Sequence, residues 1–284
     1  RYLLENPQAN TADLMKYIPG PDLPNGGIIM GLDGVRDAYE TGRGVFKTRA
    51  RVSVESVSPR KLGLVVTELP YLVGPEKVIE KIKDGVNNKK LQGISDVTDL
   101  TDRTNGLKLV IELKTGFDPQ VVLDLLYRFT PMEDSFGINN VALVDGRPLT
   151  LGLRDLLGVY LAHRITVTRR RTTTRLGKRK ARLHLVEGLL IAIVSIDEVI
   201  QVIRSSEEVD DARRRLREVF DLSELQAEYI LELRLRRLTK FSKIELETEK
   251  ATLLSEIAEL ERILANEANL RAVVSSELAE VADK

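Results

Sequence analysis

The sequence predicts an α+β domain followed by a long antiparallel pair of helices that carries a small helical tip. Three observations lead to this prediction. The first 150 residues mix short β-branched runs that alternate in polarity with amphipathic helical stretches. From about residue 151 the periodicity is helical to the end of the chain. Within that second part, two long segments each have a narrow apolar seam, which is typical of a two-stranded coiled coil.

Composition limits the classes of function. The 284 residues are 43% hydrophobic, ample for two packed domains, and 43 basic residues balance 43 acidic ones. The chain has no cysteine, which excludes disulfides, thiol nucleophiles and thiolate metal sites. Its two histidines, His163 and His184, are too far apart on one predicted helix to share a metal ion. With no stretch of roughly 20 apolar residues and no signal peptide, we expect a cytoplasmic protein without membrane contact, and the first residue, Arg1, suggests a fragment.

Periodicity, caps and turn residues define the elements of the first domain. Asp118 followed by Pro119 is typical of a helix start, and Asp145-Gly146 is typical of a two-residue hairpin turn. A second hairpin turns near Ser58-Pro59. We expect, in chain order, a helix over Thr11–Tyr17, an irregular proline-rich segment over 18–24, a helix over Val35–Thr41, strands over Val45–Val57 and Leu62–Glu68, a helix over Glu76–Asn87, a strand over Leu107–Leu113, a helix over Asp118–Phe129 and a hairpin over 141–151.

The second part is predicted to be helical throughout. Thr150 caps a helix that runs to about Val194, and Asn266 separates a long returning helix from a short closing one that ends near Val281. Three pairs with capping-box spacing predict helix starts near residues 206, 224 and 243, namely Ser205/Glu208, Ser223/Gln226 and Ser242/Glu245. The seams consist of Ile165, Leu176, Leu183, Leu190 and Val194 in the outgoing helix, interrupted by Thr172 and Arg179, and of Leu246, Leu253, Ile257, Leu260 and Leu264 in the returning one.

Charge is segregated between these two long helices. Residues 156–186 contain no Asp or Glu, and five of their basic residues fall on one helical face: Arg164, Arg171, Arg175, Lys178 and Arg182. The returning helix has an acidic face made of Glu245, Glu249, Glu256 and Glu259. Either the two helices pair with each other, or the basic helix meets a polyanion, or both. The predicted divisions are residues 1–150, 151–204 for the outgoing helix, 205–241 for the tip and 242–284 for the returning helix.

Six sequence motifs, in order along nearly the whole chain, carry a resemblance to a known family. They are Ile18-Pro-Gly-Pro-Asp-Leu-Pro24, Tyr39-Glu-Thr-Gly-Arg-Gly44, Thr67-Glu-Leu-Pro-Tyr71, Ser135-Phe-Gly-Ile-Asn139, His163-Arg164 with Arg169-Arg-Arg171, and Leu231-Glu-Leu-Arg-Leu-Arg-Arg-Leu-Thr239. The chain resembles the A subunit of bacterial type IIA DNA topoisomerases, which are DNA gyrase and topoisomerase IV. The sequence does not distinguish these two.

The resemblance implies that the first part is the tower domain and that the second is the coiled coil ending in the exit-gate dimer contact. The parent enzyme passes one DNA duplex through a transient break in another, using Mg²⁺ and ATP through its partner B subunit. The family's catalytic tyrosine lies upstream of this segment, and Tyr2 does not replace it because the residues from Leu3 to Pro7 do not continue the motif. We therefore expect no catalytic residue, metal or cofactor in the chain itself.

Six basic residues are the expected contacts to double-stranded DNA: Arg43, Lys47, Arg49, Arg51, Arg164 and Arg169. Lys47, Arg49 and Arg51 alternate along one predicted strand and so point to one face. No aromatic residues lie between them, which favours nonspecific duplex contact over base stacking. The alternatives are a solvated sheet face and, for the helix, pairing with the acidic return helix.

The tip has more apolar residues than a lone helical hairpin can bury. Leu225, Tyr229, Leu233, Leu235 and Leu238 are therefore predicted to form a two-fold dimer contact, the alternative being local packing of short helices. Two other classes of function stay open. A purely structural coiled-coil homodimer predicts no DNA binding at low salt. A helical arm like that of seryl-tRNA synthetase predicts RNA preference, and also ATP-site motifs that the sequence lacks.

Overall fold

The computed structural model describes residues 1–58, 61–104, 106–233 and 243–284. The chain forms two compact units, one over Tyr2–Tyr160 and the other over Leu161–Lys284 together with Arg1. The division falls inside a long helix, ten residues beyond the predicted limit of the first domain. No helix in the described ranges is both long and apolar enough to cross a membrane.

The first unit is an α+β structure built from three antiparallel sheets. Its helices are α1 (Tyr2–Glu5), α2 (Thr11–Met15), α3 (Asp33–Thr41), α4 (Pro75–Asn87) and α5 (Pro119–Phe129). Its strands are β1 (Ile28–Met30), β2 (Arg43–Arg49), β3 (Arg51–Ser58), β4 (Lys61–Glu68), β5 (Ile94–Asp99), β6 (Leu109–Leu113), β7 (Glu133–Asn139), β8 (Val141–Val144) and β9 (Arg147–Thr150). The strand orders are β1-β2-β7, β3-β4-β6-β5 and β8-β9.

The core of this unit lies between the four-stranded sheet and helices α4 and α5. Leu64 and Ile111 from the central strands are completely buried, as are Val78 of α4 and Leu126 of α5. Helix α3 packs instead on β2 of the three-stranded sheet, where Val35 is completely buried. That packing covers one face of the three-stranded sheet and leaves the other to solvent.

The predicted strand over Val45–Val57 is wrong in one respect, because it is two strands that belong to different sheets. Ala50 lies between β2 and β3, completely buried, and its N–H donates to the carbonyl of Met132 at 2.7 Å. The alternation continues across this point, since Phe46, Thr48 and Ala50 are all buried. The polarity pattern therefore carries no sign of the change of sheet.

Local signals in the first unit are mostly confirmed. The Asp118 carboxylate accepts the N–H of Gln120 at the start of α5, and the Asp145-Gly146 turn between β8 and β9 has positive φ at both residues, as a type I′ turn requires. Helix α2 ends at Met15 rather than at the predicted Tyr17, and the side chain of Asn10 caps its start by accepting the N–H of Asp13. Strands β1, β5 and β7 were not predicted.

The described residues of the second unit are mainly helical, as predicted. Its helices are α6 (Leu153–Val194, which begins in the first unit), α7 (Ile196–Arg204), α8 (Val209–Phe220), α9 (Glu224–Glu232), α10 (Lys243–Leu264) and α11 (Glu267–Ala282). We call α6 from residue 161 onward, with α10 and α11, the stalk, and α7–α9 the tip. Asn266 caps α11, which confirms the predicted break.

Two of the predicted helix starts are wrong. Thr150 ends strand β9 instead of capping α6, which begins at Leu153. Ser205 closes α7, with its N–H bonded to the carbonyl of Gln201, and α8 begins only at Val209. The capping box of Ser223 is confirmed at α9, whereas Ser242 lies outside the described residues.

The apolar seam of the stalk is partly confirmed. Leu246, Leu253 and Ile257 of α10 are buried as expected. On α6 the predicted seam residue Val194 is exposed, while Thr172, predicted to interrupt the seam, is buried, with its hydroxyl donating to the carbonyl of Thr168 at 2.8 Å. Threonine can occupy a buried helix position because its hydroxyl is satisfied by the preceding turn. The packed cluster of the second unit comprises Val186, Leu189, Ala192, Val199, Val202, Leu216, Leu222, Ala227, Ile230, Leu246 and Leu253.

Candidate nucleic-acid interface

The uncovered side of the β1-β2-β7 sheet, which we call the sheet face, presents three of the six predicted DNA-binding residues. Arg43, Lys47 and Arg49 alternate with Phe46 and Thr48 along β2, so the cations point to solvent and the other two side chains point inward. Because side chains alternate along a strand, three of the four predicted cations of the first unit lie on one surface.

One carboxylate from β7 meets two of these cations. Glu133 lies opposite Arg49 in the strand register and accepts from Arg49 Nε at 2.5 Å and from Lys47 Nζ at 3.0 Å. The hydrogen bond from Arg49, followed by that from Lys47, lowers the pKa of Glu133 below its usual value. The Arg49 guanidinium also lies 4.7 Å from the centre of the Tyr127 ring. Arg49 is therefore held in place, whereas the Lys47 side chain is 61% exposed and can reach a ligand.

The prediction that Arg51 shares this face is wrong. Arg51 begins β3 in the other sheet, and its Nε donates to Glu68 Oε1 at 2.9 Å. The second oxygen of Glu68 accepts the N–H of Gly27 at 2.6 Å. The pKa of Glu68 is lowered first by this backbone N–H and then by Arg51. Glu68 thus joins the loop that leads into β1 to the start of β3.

Arg43 is the most available cation of the sheet face. It is exposed, and no carboxylate among the described residues lies within ion-pairing distance of it. Gly42 before it has φ of 81°, and a Cβ there would lie 2.6 Å from the carbonyl oxygen of Leu151, so only glycine fits. The turn thereby places Arg43 at the first position of β2, where an anion can approach it.

Most cations of the stalk near the tip are paired across the two long helices. Residues 179 and 180 of α6 pair with the later residues 256 and 261 of α10, whereas residues 182 and 187 pair with the earlier residues 249 and 250, as expected for antiparallel helices. The pairs are Arg182–Glu249 at 2.7 Å, Arg179–Glu256 at 2.7 Å, Lys180–Glu261 at 2.6 Å and Glu187–Lys250 at 3.0 Å. Glu249 raises the pKa of Arg182 above its already high value. The predicted pairing of the basic and acidic helices is therefore present in the structure, although Glu259 pairs within its own helix, with Arg262.

The other predicted stalk residues, Arg164 and Arg169, differ from each other. Arg164 donates to Glu277 of α11 at 2.8 Å, and Arg171 donates to the other oxygen of the same carboxylate. Arg169 is exposed and has no carboxylate partner in the described part of the chain. Of these two residues, only Arg169 keeps its whole charge for an external anion.

The tip presents an apolar surface beside a shallow cavity. Leu225 is 67% exposed, whereas Tyr229 and Leu233 are half-buried, and Leu235 and Leu238 lie outside the described residues. The cavity, of about 300 Å³, is lined by Ala181, His184, Leu185, Leu225, Glu228, Tyr229 and Glu232. His184 contacts the Ser223 hydroxyl at 2.6 Å, so it supports the start of α9. No group of residues able to hold a metal ion is found in the described ranges.

Comparison with known proteins decides the family. Residues 1–279 match the family of the A subunits of DNA gyrase and topoisomerase IV. The chain belongs to this family. It is 45% identical over 282 residues to the DNA gyrase A subunit of Staphylococcus aureus strain MRSA252, and 44% identical to its counterpart in strain Mu50. Each alignment covers 99% of this chain and 32% of the relative, so the chain spans about a third of the length of these gyrase subunits.

Membership of the gyrase and topoisomerase IV family confirms the resemblance found in the sequence. The carboxylates that hold the predicted DNA-binding cations were not predicted. Glu133, Glu68 and Glu277 each lie far in sequence from the cations that they hold. Glu68 lies within the Thr67–Tyr71 motif, and this motif was the one sequence feature that could have marked a carboxylate of the site. Nothing in the sequence pairs Glu133 with β2, because β7 has no β-branched run of its own.

Proposed function

We propose that this chain supplies nonspecific double-stranded DNA contact to a protein of the gyrase/topoisomerase IV type. The observation that carries the proposal is the excess of positive charge on the sheet face. Arg43, Lys47 and Arg49 meet a single carboxylate among the described residues, Glu133. Such a surface attracts the phosphate backbone and releases its counterions. No exposed aromatic residue stands among these cations on β2, so the contact positions a duplex without reading bases.

DNA binding by the chain tests this proposal. A fluorescein-labelled duplex is titrated with the chain by fluorescence anisotropy at several KCl concentrations, and a duplex of unrelated sequence is titrated in parallel. We expect binding that weakens steeply with salt and is equal for both duplexes. Absence of binding at low salt would leave the structural coiled-coil homodimer as the function. Preference for an RNA duplex would favour the helical-arm alternative.

We also propose that the tip binds a second copy of the chain. The exposed Leu225 and the half-buried Tyr229 lie on α9, and the half-buried Leu233 follows directly after the helix. An apolar surface of this kind is typical of a two-fold contact. Sedimentation of Leu225→Asp tests this without disturbing the core, because the side chain is largely exposed. We expect monomers, while Val209→Asp, an equally exposed apolar position on α8, remains dimeric. A dimeric Leu225→Asp chain contradicts the proposal.

For the parent protein we propose the double-strand passage reaction of type IIA topoisomerases, with ATP and Mg²⁺ bound through a B subunit in the cytoplasm. The chain contributes DNA contact and the exit-gate dimer contact rather than strand cleavage. Support comes from the family and from the antiparallel stalk that carries the apolar tip. Among the stalk residues, Arg169 is the proposed DNA contact, while Arg164 is largely committed to Glu277.

A further inference from the structure

Three apolar side chains interrupt the polar character of the sheet face. Ile28 and Met30 of β1 are 43% and 39% exposed, and Val45 of β2 is 64% exposed. In the strand register Ile28 lies opposite Arg49, and Met30 lies opposite Lys47, two residues along β2 from Val45. Residues that are directly opposite share a face, and so do residues two apart on one strand, so all three lie on the same side of the sheet; we call them the apolar stripe.

The stripe does not follow the usual pattern of a half-buried antiparallel sheet, which is apolar inside and polar outside. The inner face of β2 already provides the apolar side of the sheet through Phe46. Val45 lies opposite Gly137 of β7, so no side chain directly across on that strand covers it. An apolar surface that the fold leaves uncovered among cations indicates a ligand that is both anionic and apolar.

We propose that the apolar stripe contacts the deoxyribose edges of the minor groove of a DNA duplex, while Arg43 and Lys47 reach the adjoining phosphates. This inference rests on the proposed DNA contact and specifies its geometry. Neighbouring strands lie about 4.8 Å apart, so the cations of β2 stand one strand away from Ile28 and Met30. The minor groove is about 6 Å wide, which admits one row of side chains with a phosphate row beside it.

Charge favours DNA over a protein as the occupant. Arg43 and Lys47 flank the most exposed stripe residue, Val45, each two positions away along the same strand and on the same face. A wholly apolar partner would bury these cations without partners, which is costly, whereas a duplex offers a phosphate to each beside the apolar sugar edge. The stripe lacks aromatic residues and does not extend from the sheet as a wedge, so contact along the groove without base unstacking is expected.

The experiment separates apolar contact from phosphate contact by their salt dependence. The variant Ile28→Thr/Met30→Gln/Val45→Thr removes apolar area with little change in side-chain size, whereas Lys47→Gln removes one phosphate contact. Val121→Thr, on helix α5 and 57% exposed, is the matched control. Affinity of each chain for a labelled A·T-rich duplex is measured over a range of KCl. Netropsin, which fills the A·T minor groove, is added as competitor.

We expect the triple variant to bind about tenfold more weakly with an unchanged slope of log affinity against log salt, since apolar contacts release no counterions. Lys47→Gln should lower both affinity and slope, Val121→Thr should change neither, and netropsin should displace the wild-type chain. If the triple variant binds like wild type while Lys47→Gln binds weakly, the stripe does not face DNA and only this inference fails. A wild-type chain that does not bind DNA overturns the inference together with the proposed function. Circular dichroism verifies folding, and Val45→Thr alone replaces the triple variant if that chain unfolds.

Discussion

The cations of the sheet face and the stalk cations that pair between α6 and α10 meet carboxylates in different proportions. On the sheet face Lys47 and Arg49 share Glu133, and Arg43 has no described carboxylate partner. On the stalk near the tip the pairing is one to one, in four pairs that join α6 to α10: Arg179–Glu256, Lys180–Glu261, Arg182–Glu249 and Glu187–Lys250. The sheet face therefore keeps a net positive charge, whereas these stalk pairs are neutral.

This difference shows that basic residues in a sequence do not by themselves indicate a DNA site. The acid-free run of α6 is the strongest charge signal in the chain, yet three of its nine cations pair with carboxylates of α10 and two more share Glu277 of α11. The shorter series on β2 keeps its charge because a single described carboxylate lies within reach. The number of carboxylates that the fold brings to each cation distinguishes a binding surface from a structural pairing.

The largest expected effect concerns the stability of the stalk and tip, which we attribute to apolar packing rather than to ion pairs. Leu189 of α6 is completely buried in the second-unit cluster. Leu189→Ala should lower the free energy of unfolding by about 2–5 kcal/mol, because it leaves a cavity. Urea titration measures this, with Leu254→Ala at an exposed position of α10 as control. A loss equal to that of the control would mean that ion pairs hold the stalk.

A smaller effect is expected from a stalk ion pair. Arg182 binds Glu249 through two nitrogens, at 2.7 and 2.9 Å, with both side chains about one-third exposed. Arg182→Glu should destabilise the chain, and the swapped variant Arg182→Glu/Glu249→Arg should recover most of the loss. A double-mutant cycle should give a coupling energy of about 0.5–1 kcal/mol, typical of partly solvated pairs. No recovery in the swapped chain would show that the pair has no energetic role.

The smallest effect concerns Glu133, whose pKa is lowered by Arg49 and Lys47. A carboxylate with a lowered folded-state pKa stabilises the protein above its ordinary pKa, and this stabilisation is lost as the pH falls through the folded value. Glu133→Gln should therefore be less stable than wild type at pH 7, by less than about 1 kcal/mol because both cations are partly solvated. The difference should begin to shrink as the pH falls below the ordinary glutamate pKa of about 4.3, and it should vanish below the lowered folded-state value. Urea titrations over a series of pH values measure it, and a difference that grows in acid contradicts the assigned pairing.

Elements with short-range signals could be predicted from the sequence. Helix α5 was predicted from Asp118 and Pro119, and hairpin β8-β9 from its Asp-Gly turn. By contrast, β1 has three residues and β7 contains Gly137 and no β-branched run, so each exists because it pairs with β2. At Ser205 a short-range signal was misleading. Its spacing to Glu208 matches a capping box, which predicts a helix start, but the serine ends the preceding helix.

The candidate site, like the fold, was predicted only in part. Alternation along β2 identified Lys47 and Arg49, because side-chain direction in a strand follows from position alone. The same rule misplaced Arg51, because the change of sheet at Ala50 does not alter the period. Glu133 could not be predicted as a partner of Arg49. The two residues are 84 positions apart in the sequence, and only the pairing of β7 with β2 brings them together.

The central claim is that the surplus cations of the sheet face bind DNA while the paired cations of the stalk do not. The most direct test compares two double variants that remove equal charge, Arg43→Gln/Lys47→Gln on the sheet face and Arg179→Gln/Lys180→Gln on the stalk. The slope of log affinity against log salt is measured for each with one duplex. We expect the sheet variant to lower the slope by about 2, one unit for each lost phosphate contact, and the stalk variant to leave it unchanged. An equal reduction by the stalk variant, or none by the sheet variant, would contradict the central claim.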